Sequence, residues 1–160
     1  MVDIRDIYIK IFREIRDDEK LISLLEIDKA SMTENEFIKQ LRKQVLDTAK
    51  PGDMLNDYAP KLCIHEAEGS YRDVVEDYGF VAIDIHTTSD KDEKNRVHLK
   101  ILQRLIEVLD TRERKKIGKN RVDVGLEGLV YKRRPNTAVI STGWEKHTVL
   151  FEYKFLTNIL

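Results

Sequence analysis

The chain has 160 residues, of which 41% are hydrophobic and 36% charged, with one cysteine and a net charge of −1. That apolar fraction excludes a disordered chain, and a single cysteine excludes a scaffold held by intramolecular disulfides. The apolar runs are too short to cross a bilayer, and the first residues lack the apolar core of a signal peptide. We therefore expect one soluble intracellular domain over residues 1–160.

Three amphipathic helices are predicted. Isoleucines recur at steps of three and four residues from Ile4 to Ile15, with charged residues between them. A second helix begins near Ser31 or Thr33, where two capping-box spacings occur, and ends at Lys50-Pro51-Gly52. The third, from Ser89 to Leu109, has the clearest apolar stripe in the chain and acidic residues at its start.

The remaining apolar segments alternate with a period of two and predict strands. We expect strands at 61–65, 79–86, 122–131, 137–141 and 144–155, with a polar turn or excursion over 66–78. Within 79–86, the face that carries Val81 is apolar and is predicted to be core. The other face becomes polar at Asp84 and His86, so we expect it to be partly exposed.

The predicted order is α-α-β-β-α-β-β-β, in which helices and strands do not alternate regularly. This order indicates the α+β class rather than a doubly wound α/β fold. The last three strands form a meander, so their pairing should be antiparallel. We expect a mixed, mainly antiparallel sheet of about four to five strands, packed by the N-terminal helix and the central amphipathic helix.

Charge is distributed unevenly along the chain. Residues 1–110 contain 17 Lys and Arg against 24 Asp and Glu, whereas residues 111–160 contain 11 against 5. The basic residues concentrated in the second part are Arg112, Arg114, Lys115, Lys116, Lys119, Arg121, Lys132, Arg133 and Arg134. Such asymmetry suits a polyanion partner or head-to-tail contact between copies of the chain, and it also suits a solvated loop.

Motifs for catalysis are weak. The chain has no phosphate-binding glycine loop, no zinc-protease or paired-cysteine motif and no nucleophile elbow. Cys63 lies in a predicted apolar strand, which favours a buried structural thiol. The residues that best suit a metal-dependent nuclease are Asp84, His86, Asp90, Asp92 and His98. Because the start of a helix already explains the two aspartates near residue 90, we predict no catalytic residue, no metal and no cofactor.

The order of elements, together with three phrases, carries a resemblance to a known family. The phrases are Ile83-x-Ile85-x-Thr87-x-Ser89-Asp90, Arg104-Leu105-Ile106-x-x-Leu109-Asp110, and Gly143-Trp144 before the last strand. They lie within residues 79–155, about half of the chain. In this arrangement the chain resembles the neck proteins of tailed bacteriophages, and most of all the tail terminator family, whose members complete the tail and join it to the head.

The resemblance implies a structural virion protein and no enzymatic activity. Its members form a ring, usually a hexamer, that caps the tail tube, stops tube polymerisation and meets the head connector. It implies assembly in the host cytoplasm, a final place in the neck of the virion, no membrane partner, and DNA that passes through the ring. The nine basic residues would then contact a neighbouring subunit, a partner protein or the DNA in the lumen. The alternatives are another structural subunit of a phage or tail-like particle, a small metal-dependent nuclease, or a binding module.

Overall fold

A computed structural model describes residues 4–49, 57–72, 76–133, 138–141 and 143–156. The helices are α1 (Ile4–Arg16), α2 (Glu19–Leu24), α3 (Glu34–Gln44), α4 (Ser89–Asn95), α5 (Val97–Leu109) and α6 (Thr111–Lys116), with a short 3-10 helix at Lys29–Ser31. The strands are β1 (Val45–Leu46), β2 (Lys61–Arg72), β3 (Glu76–Thr88), β4 (Val130–Arg133), β5 (Ala138–Ser141) and β6 (Trp144–Leu156). None of the helices among the described residues is long and apolar enough to cross a membrane.

One sheet organises the fold. Its strand order is β1-β2-β3-β6-β4, and β5 pairs with β6 beside β4. The pairing of β1 with β2 is parallel and all the other pairings are antiparallel. The predicted mixed, mainly antiparallel α+β architecture is confirmed.

The core lies between the helices and one face of the sheet. On that face Val81, Ile83 and Ile85 of β3 are buried, as the alternation predicts. Helix α1 contacts β2 and helix α5 contacts β3, so the two amphipathic stripes seen in the sequence cover this face. Burying such stripes is the main source of stability for helices of this length.

The opposite face of β3 is also buried, and here the prediction of partial exposure is wrong. Asp84 is 3% exposed and His86 is 1% exposed. Sequence alternation separates the two faces of a strand, but it does not report what covers each one. A charged residue on a covered face is costly unless it is paired, and the partners of Asp84 are described below.

Several element boundaries differ from the prediction. The second predicted helix was expected to end at Lys50-Pro51-Gly52, but α3 ends at Gln44 and Val45–Leu46 form β1, because these two residues pair with β2. The central helix is divided at Arg96, whose φ of 50° is left-handed, so α4 and α5 are separate helices. Strands β2 and β3 extend well into the segment expected to be a polar turn. The expected strand at 122–131 is real only from Val130, because the residues before it form bends around Gly125 and Gly128, both with positive φ.

Capping side chains fix the ends of several helices. Thr33 and Glu36 form the predicted capping box of α3, with the Glu36 amide 3.3 Å from Thr33 Oγ1 and the Thr33 amide 2.9 Å from Glu36 Oε2. Asp110 caps α6 and also accepts a hydrogen bond from the Tyr131 amide at 2.7 Å. Asp110, the last residue of the Arg104 to Asp110 phrase, therefore connects the start of α6 to β4.

Candidate functional sites: two buried polar clusters and a basic surface

A polar cluster lies on the helix-covered face of the sheet, where α4, α5 and β6 meet. Asp92 Oδ2 accepts a hydrogen bond from Thr87 Oγ1 at 2.6 Å and lies 3.1 Å from His147 Nε2. Asp92 Oδ1 lies 2.9 Å from His98 Nδ1 and accepts the His98 amide at 3.2 Å. Carboxylate and imidazole atoms of Asp92, His98 and His147 all lie within 4.8 Å of one another, which is close enough for one metal ion.

The environment of this cluster favours an ionised Asp92. Burial raises the pKa of Asp92, but hydrogen bonds from Thr87 and from His98 outweigh it and the pKa lies below its usual value. Glu145 shares a hydrogen bond with Asp92, and burial followed by this contact raises the pKa of Glu145. Within this cluster Asp92 thus has a pKa below, and Glu145 a pKa above, its ordinary value.

A second polar cluster lies on the other face of the sheet. His65 Nε2 lies 2.8 Å from Asp84 Oδ2, and the Thr148 hydroxyl donates to Asp84 Oδ1 at 2.6 Å. Burial raises the pKa of Asp84, but these two hydrogen bonds bring it below the ordinary value. The bond to Asp84 in turn raises the pKa of His65. Both carboxylate oxygens of Asp84 are thus engaged by the protein.

His86 lies beside this second cluster but is not bonded to it. Neither ring nitrogen of His86 has a hydrogen-bond partner among the residues that the structure describes. Burial lowers the pKa of His86 to about 4, so the ring is neutral at physiological pH. A neutral, buried imidazole of this kind behaves as part of the core.

The sequence-based nuclease set is divided by the sheet. Thr87, which contacts Asp92, alternates with Asp84 and His86 along β3, so the two groups point to opposite faces. Asp90 is exposed and pairs with Lys94 at 3.0 Å. The structure instead unites Asp92 and His98 with His147, a combination that spacing along the chain did not indicate.

Cys63 is buried, as expected, and burial raises its pKa to about 12. A thiol with so high a pKa is almost entirely protonated near neutral pH. It is therefore a poor nucleophile and a poor metal ligand.

The basic residues of the C-terminal part fall into distinct environments. Arg112, Lys115, Lys116, Lys119, Arg121 and Lys132 are exposed. Of these, Lys116 pairs with Glu113 at 2.9 Å, Lys132 pairs with Glu152 at 3.4 Å, and Arg121 donates to the Leu126 carbonyl. The side chain of Arg133 and the whole of Arg134 lie outside the described residues.

Arg114 differs from its neighbours because its side chain is only 7% exposed. Its guanidinium donates to Glu14 Oε2 at 2.7 Å and to the carbonyls of Val108 and Asn120, both at 2.6 Å. Arg114 therefore ties α1, α5 and the segment after α6 together. The exposed surface formed by Arg112, Lys115, Lys116 and Lys119 on and after α6 is called the α6 basic surface below.

The titration of His86 gives a testable consequence. Its folded pKa of about 4 lies below the ordinary value near 6.5, so between these pH values the unfolded chain binds more protons. We expect the free energy of unfolding to fall as the pH is lowered through this window, by an amount on the order of 3 kcal/mol. Urea unfolding from pH 4.5 to 7.5 should show this slope in the native chain and a flatter one in His86→Leu.

His65→Gln is the matched control for that measurement. The pKa of His65 is raised by Asp84, so its contribution to stability is present below the unfolded pKa and is lost as the pH rises through the folded value. In His65→Gln, the free energy of unfolding should still fall as the pH is lowered below about 6.5, as steeply as in the native chain. An equally steep slope in His86→Leu would show that another group titrates there.

Comparison with known proteins shows where this fold occurs. No family model and no curated protein sequence matches the chain. A solved chain from the virion of the native gene transfer agent (GTA) particle superposes with a TM-score of 0.57. The match covers 94% of this chain and 94% of that one. The chain has the fold of that virion chain. At 14% sequence identity, the likeness is one of architecture.

Proposed function

We propose that the chain is a structural virion protein of a phage neck, forming a ring that caps the tail tube, terminates its polymerisation and joins the tail to the head connector. The observation that carries the proposal is the fold, which matches a chain of a gene transfer agent virion over 94% of both chains. The three phrases that resemble tail terminators support the neck as its place in a virion.

The buried polar residues support a structural rather than a nucleolytic role. A hard cation in a nuclease is bound by several oxygen ligands at once, and the side chains that contact the Asp84 carboxylate are those of His65 and Thr148. Asp92 is on the other side of the sheet, so the two aspartates cannot share an ion. We therefore propose that the chain catalyses no reaction.

A ring requires that one surface of each copy bind a different surface of the next. The charge distribution supplies such a pair, since the α6 basic surface belongs to a segment with a net positive charge and the first 110 residues are net negative. Ile117 adds an apolar element at this place, because 54% of it is exposed. We place the contact between subunits, or with a partner protein of the tail or connector, on the α6 basic surface.

The same residues bear on DNA passage through the ring. A lumen that held DNA through many exposed cations would retard its movement, because each phosphate contact adds salt-dependent affinity. Most of the α6 basic surface should therefore face protein rather than DNA. We propose a ring of six copies, assembled in the host cytoplasm and carried in the neck of the virion.

Charge reversal tests this assignment. Lys115→Glu with Lys116→Glu places two like charges against an acidic neighbour, which should weaken ring formation and tail joining by at least about tenfold. The matched control is Lys39→Glu with Lys43→Glu on α3, which changes the net charge equally at two exposed positions. Native mass spectrometry over a concentration series, alone and with tail tubes, measures ring formation.

The control pair should assemble like the native chain. Normal assembly and joining by the Lys115/Lys116 variant would show that the contact lies elsewhere. A native chain that neither forms a closed ring nor caps tubes would overturn the neck function itself, and open-ended polymers would favour a tube subunit instead.

A further inference from the structure

The cluster around Asp92 brings together metal-ligating side chains from three elements. Asp92 comes from α4, His98 from α5, and His147 and Glu145 from β6. One ligand atom each of Asp92, His98 and His147 lies within 4.8 Å of the others. Glu145 lies at the edge of this group, with its Oε2 3.4 Å from His147 Nε2.

Two features of the cluster suit a cation at its centre. His98 Nδ1 is buried and has no hydrogen-bond partner among the described residues, although Asp92 Oδ1 is only 2.9 Å away. Two carboxylate oxygens, Asp92 Oδ2 at 3.1 Å and Glu145 Oε2 at 3.4 Å, lie beside the same nitrogen, His147 Nε2.

We propose that Asp92, His98 and His147 bind one transition-metal ion of the zinc class, with Glu145 as the fourth ligand. Imidazole nitrogens together with carboxylate oxygens suit Zn²⁺, Co²⁺ and Ni²⁺, whereas Mg²⁺ and Ca²⁺ prefer sites made of oxygen alone. The Thr87 hydroxyl, bonded to Asp92 Oδ2, orients the carboxylate as an outer-shell partner does in known metal sites. The site does not depend on the neck function proposed above.

The ligand atoms lie near, but not yet at, the spacing of a metal site. Atoms about 2.0–2.1 Å from a tetrahedral ion lie roughly 3.3 Å apart. The short contacts of Asp92 involve different oxygens, Oδ1 with His98 at 2.9 Å and Oδ2 with His147 at 3.1 Å, and one ligand atom from each of the three residues lies within 4.8 Å of the others. Binding to one ion would therefore draw the three side chains together by up to about 1.5 Å.

One rearrangement is required. The imidazoles of His98 and His147 are stacked, with centroids 3.8 Å apart and planes 8° from parallel. An ion that lies in the plane of both rings cannot bind two parallel stacked rings, so one ring must turn about its Cβ–Cγ bond. His98 can do so because its side chain is the more exposed, at 13% against 4% for His147, and this torsion is broad in histidine.

The ion would act as a structural cross-link. With four protein ligands the site has no open position for substrate, which is the arrangement of structural rather than catalytic zinc. It would connect α4, α5 and β6 beside the helix break at Arg96. A ligand that binds only the folded state raises stability in proportion to the logarithm of its concentration over Kd. We therefore expect Zn²⁺ to raise the Tm of metal-stripped protein.

The test uses the untagged, full-length protein after removal of metal with EDTA. Calorimetric titration should show one equivalent of Zn²⁺ per chain and no saturable binding of Mg²⁺. Co²⁺ should give the visible absorption of a four-coordinate site. Loss of an outer-shell partner alone costs 10–100-fold in metal affinity, so His98→Gln should weaken Zn²⁺ binding by at least about tenfold. His65→Gln, on the other face of the sheet, should bind like the native chain.

Nitrogen NMR of the native protein tests the same site without any substitution, so its result does not depend on whether a variant folds. Zinc should shift His98 Nδ1 and His147 Nε2 and leave the nitrogens of His65 and His86 unchanged. The proposal is overturned by the absence of stoichiometric zinc binding, by native affinity in His98→Gln, or by shifts at the other two histidines. These readouts are made on the isolated chain, so they separate failure of the metal site from failure of the neck function.

Discussion

Arg114→Met should lower the free energy of unfolding by about 2–4 kcal/mol, although Arg114 belongs to a cluster of mostly exposed cations. The substitution removes four hydrogen bonds, two to Glu14 and one each to the carbonyls of Val108 and Asn120. The Val108 carbonyl lies in the last turn of α5, where it has no partner within the helix. The loss of Arg114 leaves it buried without a donor. Urea unfolding followed by circular dichroism measures the effect.

Arg112→Met is the matched control, because it removes the same charge two residues away from a side chain that is 71% exposed. It should change stability by no more than about 0.5 kcal/mol. Arg114→Lys should be intermediate, since an ammonium keeps the charge but lacks the planar fork that reaches three acceptors. Equal losses for the two Arg→Met variants would contradict the structural role of Arg114.

Gly125→Ala should also destabilise the fold strongly, by about 3 kcal/mol or more. Gly125 has a φ of +95°, which costs any other L-residue backbone strain. A Cβ at this position would also lie 2.0 Å from the Lys154 carbonyl oxygen. The Leu126 amide donates to that oxygen at 2.7 Å. Relief of the clash therefore separates the 122–128 segment from β6 and breaks this hydrogen bond.

Gly118→Ala is the control that has the backbone strain but not the steric clash. Gly118 has a φ of +74°, but no described atom lies within 4 Å of a Cβ built there. It should lose about 1 kcal/mol, the cost of the left-handed backbone alone. Thermal unfolding of both variants gives the comparison, and a loss for Gly125→Ala no greater than that for Gly118→Ala would show that the loop moves without penalty.

The helices and the class of the fold could be predicted from sequence because their signals are local. The isoleucine stripe of α1, the capping box at Thr33 and the alternation in β3 each depend on residues that are near neighbours in the chain. Boundaries were less predictable where a single residue's conformation decides them. No residue near Arg96 in the sequence predicts a left-handed φ, yet this conformation of Arg96 divides the central helix in two.

That break also explains why the Asp92 cluster could not be found by spacing. Residues six apart in one continuous helix are separated by about 120° around its axis, so Asp92 and His98 would face different directions. The turn at Arg96 brings both toward His147, which is 55 residues further along the chain than Asp92. Conversely, Asp84 and His86 share a strand face as predicted, but the partners of Asp84, His65 and Thr148, come from neighbouring strands whose register the sequence did not reveal.

The α+β class, the core face of β3, the buried thiol and the uneven charge along the chain could all be predicted from the amino-acid sequence. These properties follow from hydrophobic periodicity and composition, which act through neighbouring residues. Only the packing of the folded chain shows which charged side chains are exposed and which are buried. Arg114 and Arg112 look alike in the sequence, and only the approach of Glu14, 100 residues away, makes one a structural tie and leaves the other exposed. Burial and long-range pairing depend on how distant segments pack.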